Sequence, residues 1–239
     1  YTTLFRSIKR LIPNSITCCN LVCGSLAVYL ATQNDFTWAF LLILGGAFFD
    51  FFDGMSARLL KAPSPIGVEL DSLADVITFG LAPAMLLFCY LEPFLGWWAC
   101  IAFLMAAFSA LRLAKFNVDE RQHDSFIGLA TPANAIFWGG ICSLPHAVIG
   151  FDWIGWTLIG LSLISCYLLN AEIPFFSFKS FGKQRLTIIL FLIGCVILIA
   201  YCIIKAISIK HIEFGLFAGT VCIVWYVILN LLLAIIRKS

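Results

Sequence analysis

Four aspartates in one short stretch are the residues of this sequence best suited to do chemistry. They are Asp50, Asp53, Asp71 and Asp75, in the segment DFFDGMSARLLKAPSPIGVELDSLAD. The first two are three residues apart and the last two are four apart, so each pair shares one face of a helix. The segment KAPSPI between the pairs holds two prolines and predicts a tight turn. We therefore expect a helical hairpin on which the four carboxylates converge.

Four ionised carboxylates in one apolar pocket repel each other and lose hydration, so they need neutralising charge. Arg58 on the same helix supplies only one positive charge. Oxygen-only sites suit hard divalent cations, and Mg²⁺ is commonly shared with substrate phosphates. The pattern predicts two divalent cations, Mg²⁺ or Mn²⁺, with Ca²⁺ as a non-productive competitor, and a phosphate-bearing substrate. The alternatives are an ion path, a proton relay or a structural salt bridge.

The rest of the chain is typical of a membrane protein. Of its 239 residues, 62% are hydrophobic and 12% charged, against about 25% charged in soluble domains. The net charge of +2 gives no reason to expect a nucleic-acid partner. Continuous apolar runs predict membrane helices rather than strands. We expect an all-α polytopic bundle of about eight transmembrane helices, at about 15–31, 36–60, 67–90, 94–116, 128–148, 152–170, 184–204 and 212–236.

The basic residues predict how these spans are oriented. With eight spans, all fifteen Lys and Arg residues except Lys205 and Lys210 fall on one side. Because cytoplasmic loops are enriched in Lys and Arg, this side is predicted to be cytoplasmic, and it includes both termini and the tip of the hairpin. The basic and then apolar start of the sequence is interpreted as an uncleaved first helix. The whole chain, 1–239, is expected to form one membrane domain.

The spacing of the aspartate segment resembles the signature of a known family. Written out, it is Asp50-x2-Asp53-Gly54-x2-Ala57-Arg58-x8-Gly67-x3-Asp71-x3-Asp75. It is similar at all eight positions to that of the CDP-alcohol phosphatidyltransferases. The resemblance implies a membrane enzyme, a homodimer, that binds a CDP-linked lipid and two metal ions. Such an enzyme transfers a phosphatidyl group to an alcohol by direct in-line attack and releases CMP.

The same resemblance implies a role for each residue of the signature. Asp50, Asp53 and Asp71 would be metal ligands. Asp75 would also touch metal and would act as the general base on the acceptor hydroxyl. Gly54, Ala57 and Gly67 would leave room for the cytidine and the ribose. Arg58 would help to hold the diphosphate or would brace the carboxylates.

A stretch near the start of the chain narrows the choice of acceptor. IPNSITCCNLVCG, residues 12–24, resembles the start of the membrane-type phosphatidylserine synthases within this family. Asn14 and Thr17 would lie at the cytoplasmic mouth of the pocket and hydrogen-bond the nucleotide. The alternative for Asn14 or Ser15 is ordinary helix capping.

A second pair of stretches carries the same resemblance. ALRLAKFNV, residues 110–118, and FIGLATPANA, residues 126–135, are similar to segments of those synthases, with Lys115 in place of Arg and Ala130 in place of Pro. Arg112 and Lys115 could bind the carboxylate of serine or a lipid phosphate, and Asn117 could hydrogen-bond the same group. The alternative is that the two basic residues only follow the excess of positive charge on the cytoplasmic side.

The resulting expectation is transfer of the phosphatidyl group from CDP-diacylglycerol to L-serine, at the cytoplasmic face of a prokaryotic inner membrane. Another acceptor in the same family, such as glycerol 3-phosphate, inositol phosphate or an amino-alcohol, remains open. A divalent-cation transporter is the alternative outside the family. A through-path would need polar groups in the outer halves of the second and third spans, and FTWAFLLILGG and FGLAPAMLLF offer almost none.

Overall fold

A computed structural model describes residues 2–61, 64–118, 126–145, 152–175, 185–210 and 213–238. These residues are helical except for connections and one antiparallel pair of two-residue strands, β1 (Phe126–Ile127) and β2 (Pro174–Phe175). The helices are α1 (Thr2–Thr32), α2 (Phe36–Leu59), α3 (Pro65–Asp75), a π-helical segment (Val76–Leu81), α4 (Ala82–Leu95), a 3₁₀ segment (Gly96–Phe103), α5 (Leu104–Val118), α6 (Thr131–Cys142), α7 (Asp152–Asn170), α8 (Arg185–Ile209), α9 (Glu213–Leu216) and α10 (Ala218–Lys238).

Six helical runs in the described residues are long and apolar enough to cross a membrane. The predicted architecture of membrane-spanning helices is confirmed, whereas the count of eight spans stays a prediction. One run, Pro65–Val118, has 54 residues and at 1.5 Å per residue is far longer than the ~30 Å hydrocarbon core. It turns at Gly96, whose φ is 53°, and a side chain at Gly80 would meet Ser109 at 3.1 Å. The run therefore folds back on itself near Gly96, between the spans at 67–90 and 94–116, which stay predictions.

The bounds predicted for the fifth span, 128–148, are wrong in the described residues. Helix α6 covers only Thr131–Cys142, or 12 residues, which is shorter than the 17–25 residues a crossing takes. Pro132 lies in its first turn, where proline is tolerated. The chain leaves the helix at Ser143 and reaches Pro145, and a proline disfavours helical backbone in the residue before it.

The predicted helical hairpin is formed by α2 and α3. Helix α2 ends at Leu59, and Lys61 adopts a φ of 49° that lets the chain reverse. The hydroxyl of Ser64 accepts a 3.0 Å hydrogen bond from the Gly67 amide and so caps α3, with Pro65 in the first turn. Helices α2 and α3 both pack against α1, and their aspartate side chains approach one another beside it.

Helix α3 passes into the π-helical segment immediately after Asp75. The amide of Ala82 donates to the carbonyl of Ile77, five residues back, before α4 continues. Below this point lies the buried core, whose largest fully buried side chains are Trp138, Tyr90, Phe40 and Phe79. Single-turn π segments in α-helices are frequent at functional sites, and this one separates the aspartates from the core.

Candidate active site

Three of the four aspartates form one cluster. Asp50 and Asp53 on α2 and Asp71 on α3 each offer a carboxylate oxygen, and these atoms all lie within 4.8 Å of one another. Oxygens on one divalent cation are separated by up to twice the metal–oxygen distance, about 4–5 Å for Mg²⁺ or Ca²⁺. Oδ1 of Asp71 is buried and has no hydrogen-bond partner among the described residues. The donor set, its spacing and this orphaned oxygen fit a hard divalent cation.

Asp75 lies beside this cluster but outside it. One helical turn after Asp71, it is only 8% exposed, and its carboxylate interacts electrostatically with those of Asp50 and Asp71. Its Oδ1 accepts a 3.2 Å hydrogen bond from the side-chain amide of Asn20 on α1. The structure thus gives Asp75 a different environment from the other three, and its role as a fourth metal ligand stays a prediction.

Helix α1 supplies a polar face to both aspartate pairs. The hydroxyl of Thr17 donates a 2.6 Å hydrogen bond to Oδ2 of Asp53, and Asn20, three residues later, reaches Asp75. Residues three apart lie on the same helix face, so both contacts come from one side of α1. The observed partner of Thr17 is a carboxylate, and its predicted hydrogen bond to the nucleotide stays a prediction.

A cavity of about 150 Å³ opens next to the cluster, between α1, α2 and α3. A side chain at Gly67 would come within 3.1 Å of Asn14 Oδ1, whereas one at Gly54 would meet no atom within 4 Å and would occupy open space. Five residues predicted to contact the nucleotide line this cavity together with Asp53 and Asp71. They are Asn14, Thr17, Gly54, Ala57 and Gly67.

The remaining predicted residues lie outside the lining of this cavity. Arg58 and Lys115 are exposed on α2 and α5. Asn117 is also exposed, and its side-chain amide donates a 2.8 Å hydrogen bond to the hydroxyl of Ser72. None of Arg58, Lys115 and Asn117 lines the cavity beside the cluster, and their predicted roles stay predictions.

Arg112 differs from these three because it is buried. Its side chain on α5 is 7% exposed, and its Nε has no hydrogen-bond partner among the described residues. It interacts electrostatically with Asp75 and with Tyr226 of α10. A buried guanidinium with an unused donor is suited to hold an anion, and it lies on the side of the site where Asp75 is found.

Sequence reasoning assigned no role to Asn20 or to Tyr226. The spacing of Asn20 from Thr17 on a single helix face was a usable signal. Tyr226 lies on a helix distant in sequence from the signature, and no local pattern connects it with Arg112.

The family model for the CDP-alcohol phosphatidyltransferases matches residues 10–168 of the chain. The chain belongs to this family. The match contains α1 from residue 10 onward, the aspartate hairpin and Arg112, so all the predicted site residues fall inside it. It ends within α7, and α8 and α10 lie beyond it.

Curated relatives carry a more specific name. The chain is 36% identical over 181 residues to the CDP-diacylglycerol–serine O-phosphatidyltransferase of Bacillus subtilis (strain 168), covering 73% of this chain and 95% of the relative. It is 38% identical over 161 residues to the protein of that name from Methanocaldococcus jannaschii, covering 66% and 74%. A Helicobacter pylori relative (strain ATCC 700392 / 26695) of the same name is 36% identical over 129 residues, 53% of this chain and about half, 54%, of the relative.

Proposed function

We propose that the chain is a CDP-diacylglycerol–serine O-phosphatidyltransferase. It transfers the phosphatidyl group of CDP-diacylglycerol to L-serine and forms phosphatidylserine and CMP. The observation that carries the proposal is the convergence of Asp50, Asp53 and Asp71 beside a cavity on a helical hairpin. Family membership and the names of the relatives support the choice of reaction and of acceptor.

Asp50, Asp53 and Asp71 would hold two divalent cations, Mg²⁺ or Mn²⁺, with Asp75 as a further ligand. When bound, the cations neutralise the charge on the diphosphate as CMP leaves. The side chains of α1 assist from the other direction, since Thr17 fixes the orientation of the Asp53 carboxylate. Residues that orient a ligand in this way are part of a metal site.

The cavity is the proposed seat of the cytidine end of the donor. Gly54 leaves the space open, and Gly67 keeps Asn14 close enough to line it. Arg58, which is exposed, would reach the diphosphate only from the cytoplasmic mouth of this cavity. With its cytidine in this cavity, the donor would lie beside the carboxylate cluster, and its phosphatidyl phosphorus would point toward Asp75.

The acceptor is proposed to bind on the side of Asp75 and Arg112. The guanidinium of Arg112 would pair with the serine carboxylate, because it is buried and Nε has no partner within the described ranges. Asp75 accepts the proton of the serine hydroxyl. The hydroxyl oxygen then attacks the phosphatidyl phosphorus in line, a new P–O bond forms, and the P–O bond to CMP breaks. Lys115 and Asn117, which are exposed on α5, stay predicted contacts of the same carboxylate.

The proposal includes the finer membrane topology. The chain is one domain with about eight spans, both termini and the active site facing the cytoplasm, in the inner membrane of a prokaryote, and it acts as a homodimer. The distribution of Lys and Arg supports this orientation. The 54-residue run that folds back at Gly96 supports counting it as two spans.

The testing experiment measures CMP release in detergent micelles containing CDP-diacylglycerol and Mn²⁺. Serine, glycerol 3-phosphate and inositol phosphate are supplied separately, and Asp75→Asn is run in parallel. The expected result is turnover with serine alone that is lost in Asp75→Asn and on chelation. Turnover only with another acceptor would keep the family chemistry and reject serine. No CMP release with any alcohol would reject the assignment as an enzyme and favour the alternative of a divalent-cation transporter.

A further inference from the structure

Asn20 is the most completely buried polar side chain that contacts an aspartate of the site. It has 0% exposure, and its Nδ2 donates to Oδ1 of Asp75 at 3.2 Å. Burying an amide is costly unless it is hydrogen-bonded, and a bond to a carboxylate is stronger than one between neutral groups. The contact with Asp75 is therefore the main physical reason for an asparagine at this point in an apolar helix.

The orientation of this amide is fixed by its surroundings. Its nitrogen must face Asp75, because the amide oxygen would be repelled by a carboxylate. The oxygen faces Gly46 of α2 and has no hydrogen-bond partner in the part of the chain that the structure describes. A Cβ at Gly46 would come within 2.8 Å of this oxygen and would overlap the methyl group of Thr78. The absence of a side chain at Gly46 thus leaves just enough room for the amide.

The backbone of Asn20 is held as well. The hydroxyl of Thr78, in the π-helical segment, donates a 3.0 Å hydrogen bond to the Asn20 carbonyl. A side chain at Gly24, one turn further along α1, would come within 2.7 Å of the Thr78 backbone. The segment that follows Asp75 and the helix that carries Asn20 are therefore packed backbone to backbone. Neither end of the Asn20–Asp75 hydrogen bond can move far without disturbing this contact.

We propose that Asn20 is a positioning residue that holds the Asp75 carboxylate in the orientation needed to accept the acceptor's proton. By engaging Oδ1, the amide fixes the rotation of the carboxylate and leaves Oδ2 for the cation and the acceptor hydroxyl. The inference rests on the proposed function, in which Asp75 is the base. It adds a polar group from α1 that lies outside the eight-residue signature.

The test compares purified full-length variants in the micelle assay. Asn20→Leu keeps the branched shape, with somewhat larger volume, and removes the donor, and Asn20→Ala removes both the branch and the donor. Thr78→Val is the matched control, since it removes the hydrogen bond to the Asn20 backbone but leaves the side-chain amide in place. For each protein, kcat, the KM for both substrates, the thermal midpoint and the Mn²⁺ affinity, from the electron paramagnetic resonance of free Mn²⁺, are measured. Asp75→Asn is included as the reference for loss of the base.

The expected result is a fall in kcat of about 10- to 100-fold in both Asn20 variants, the range for loss of a group that orients a site residue. KM for CDP-diacylglycerol stays close to wild type, because Asn20 does not line the cavity. Mn²⁺ affinity falls less than kcat, because Asp50, Asp53 and Asp71 remain in place as ligands. The two variants should share the kcat loss although they change the packing in opposite ways, since Asn20→Ala leaves a void and Asn20→Leu tightens the contact with Gly46.

Three outcomes would overturn the inference. Wild-type kcat in Asn20→Leu, with Asp75→Asn inactive, would reject Asn20 alone and leave the proposed function standing. A loss of kcat that follows the thermal midpoint across all variants, Thr78→Val included, would show that the contact only holds the helices together. Turnover in Asp75→Asn would reject the proposed base and, with it, any residue assigned to orient it.

Discussion

The Thr17 hydroxyl donates a 2.6 Å hydrogen bond to Oδ2 of Asp53 and so ties the first helix to the carboxylate cluster on the second. Both residues are buried, with Thr17 only 3% exposed. A bond between a hydroxyl and a carboxylate at this distance is charge-assisted and stronger than a neutral one. The carboxylate is therefore already oriented before a cation arrives.

Replacing Thr17 by valine should weaken the metal site. Valine keeps the branched shape and removes the donor, so Asp53 loses its orienting partner. We expect the Mn²⁺ concentration for half-maximal activity to rise by about 10- to 100-fold. Thr17→Ser retains a hydroxyl and should stay near wild type. Equal Mn²⁺ requirements for Thr17→Val and wild type would contradict this role.

Replacing Asp71 by asparagine should reduce the effect of bound Mn²⁺ on the thermal stability of the protein. With EDTA present, the variant should unfold at a higher temperature than wild type, because one of three mutually repelling carboxylates is gone. Mn²⁺ at 100 times its Kd should stabilise wild type by about 2.7 kcal/mol, and the variant by much less. Thermal unfolding in detergent with and without Mn²⁺ measures both effects. The same Mn²⁺-induced shift in both proteins would mean that Asp71 is not a ligand.

Two neighbouring glycines of α2 offer a matched pair of substitutions. Gly46→Ala should cost about 1–3 kcal/mol, as overpacking does, since the new methyl group would overlap Thr78 and press on the Asn20 amide. Gly45→Ala places its methyl group 3.8 Å from the Cys23 sulfur, an ordinary contact, and should be tolerated. Thermal midpoints and kcat are compared for the two variants. Equal thermal midpoints and equal kcat values for the two variants would show that the contact of α1, α2 and the π segment at Gly46 tolerates a side chain.

Arg112 should be required for the acceptor rather than for the donor. Arg112→Gln is expected to raise the KM for serine by about 10- to 100-fold, which matches the 1.5–3 kcal/mol of hydrogen bonds to charged groups. The KM for CDP-diacylglycerol should change little. Lys115→Gln is the control, since that side chain is exposed on the same helix. A larger effect of Lys115→Gln on serine would reassign the carboxylate contact.

Much of the site was predictable because its signals are local. The i, i+3 and i, i+4 spacing of the aspartates fixes which helix face they occupy, and the prolines around Ser64 fix where the hairpin turns. Charge and apolar content alone predict membrane helices and a divalent-cation site. The bounds predicted for the fifth span were too wide, because hydropathy carries no information on where Pro132 and Pro145 limit a helix.

The sequence by itself determined the hairpin, its four carboxylates and the kind of cation they suit, since each depends on residue types a few positions apart. Only the tertiary structure decided that Asp75 stands apart from the other three, that Thr17 and Asn20 hold Asp53 and Asp75, and that Arg112 is buried while Lys115 is exposed. The contacts of Thr17 and Asn20 with the two aspartates depend on how closely α1 approaches α2 and the π segment. That approach is set by glycine contacts between residues far apart in the chain, such as Gly24 and Gly46 against Thr78, and no periodicity within a single helix encodes it.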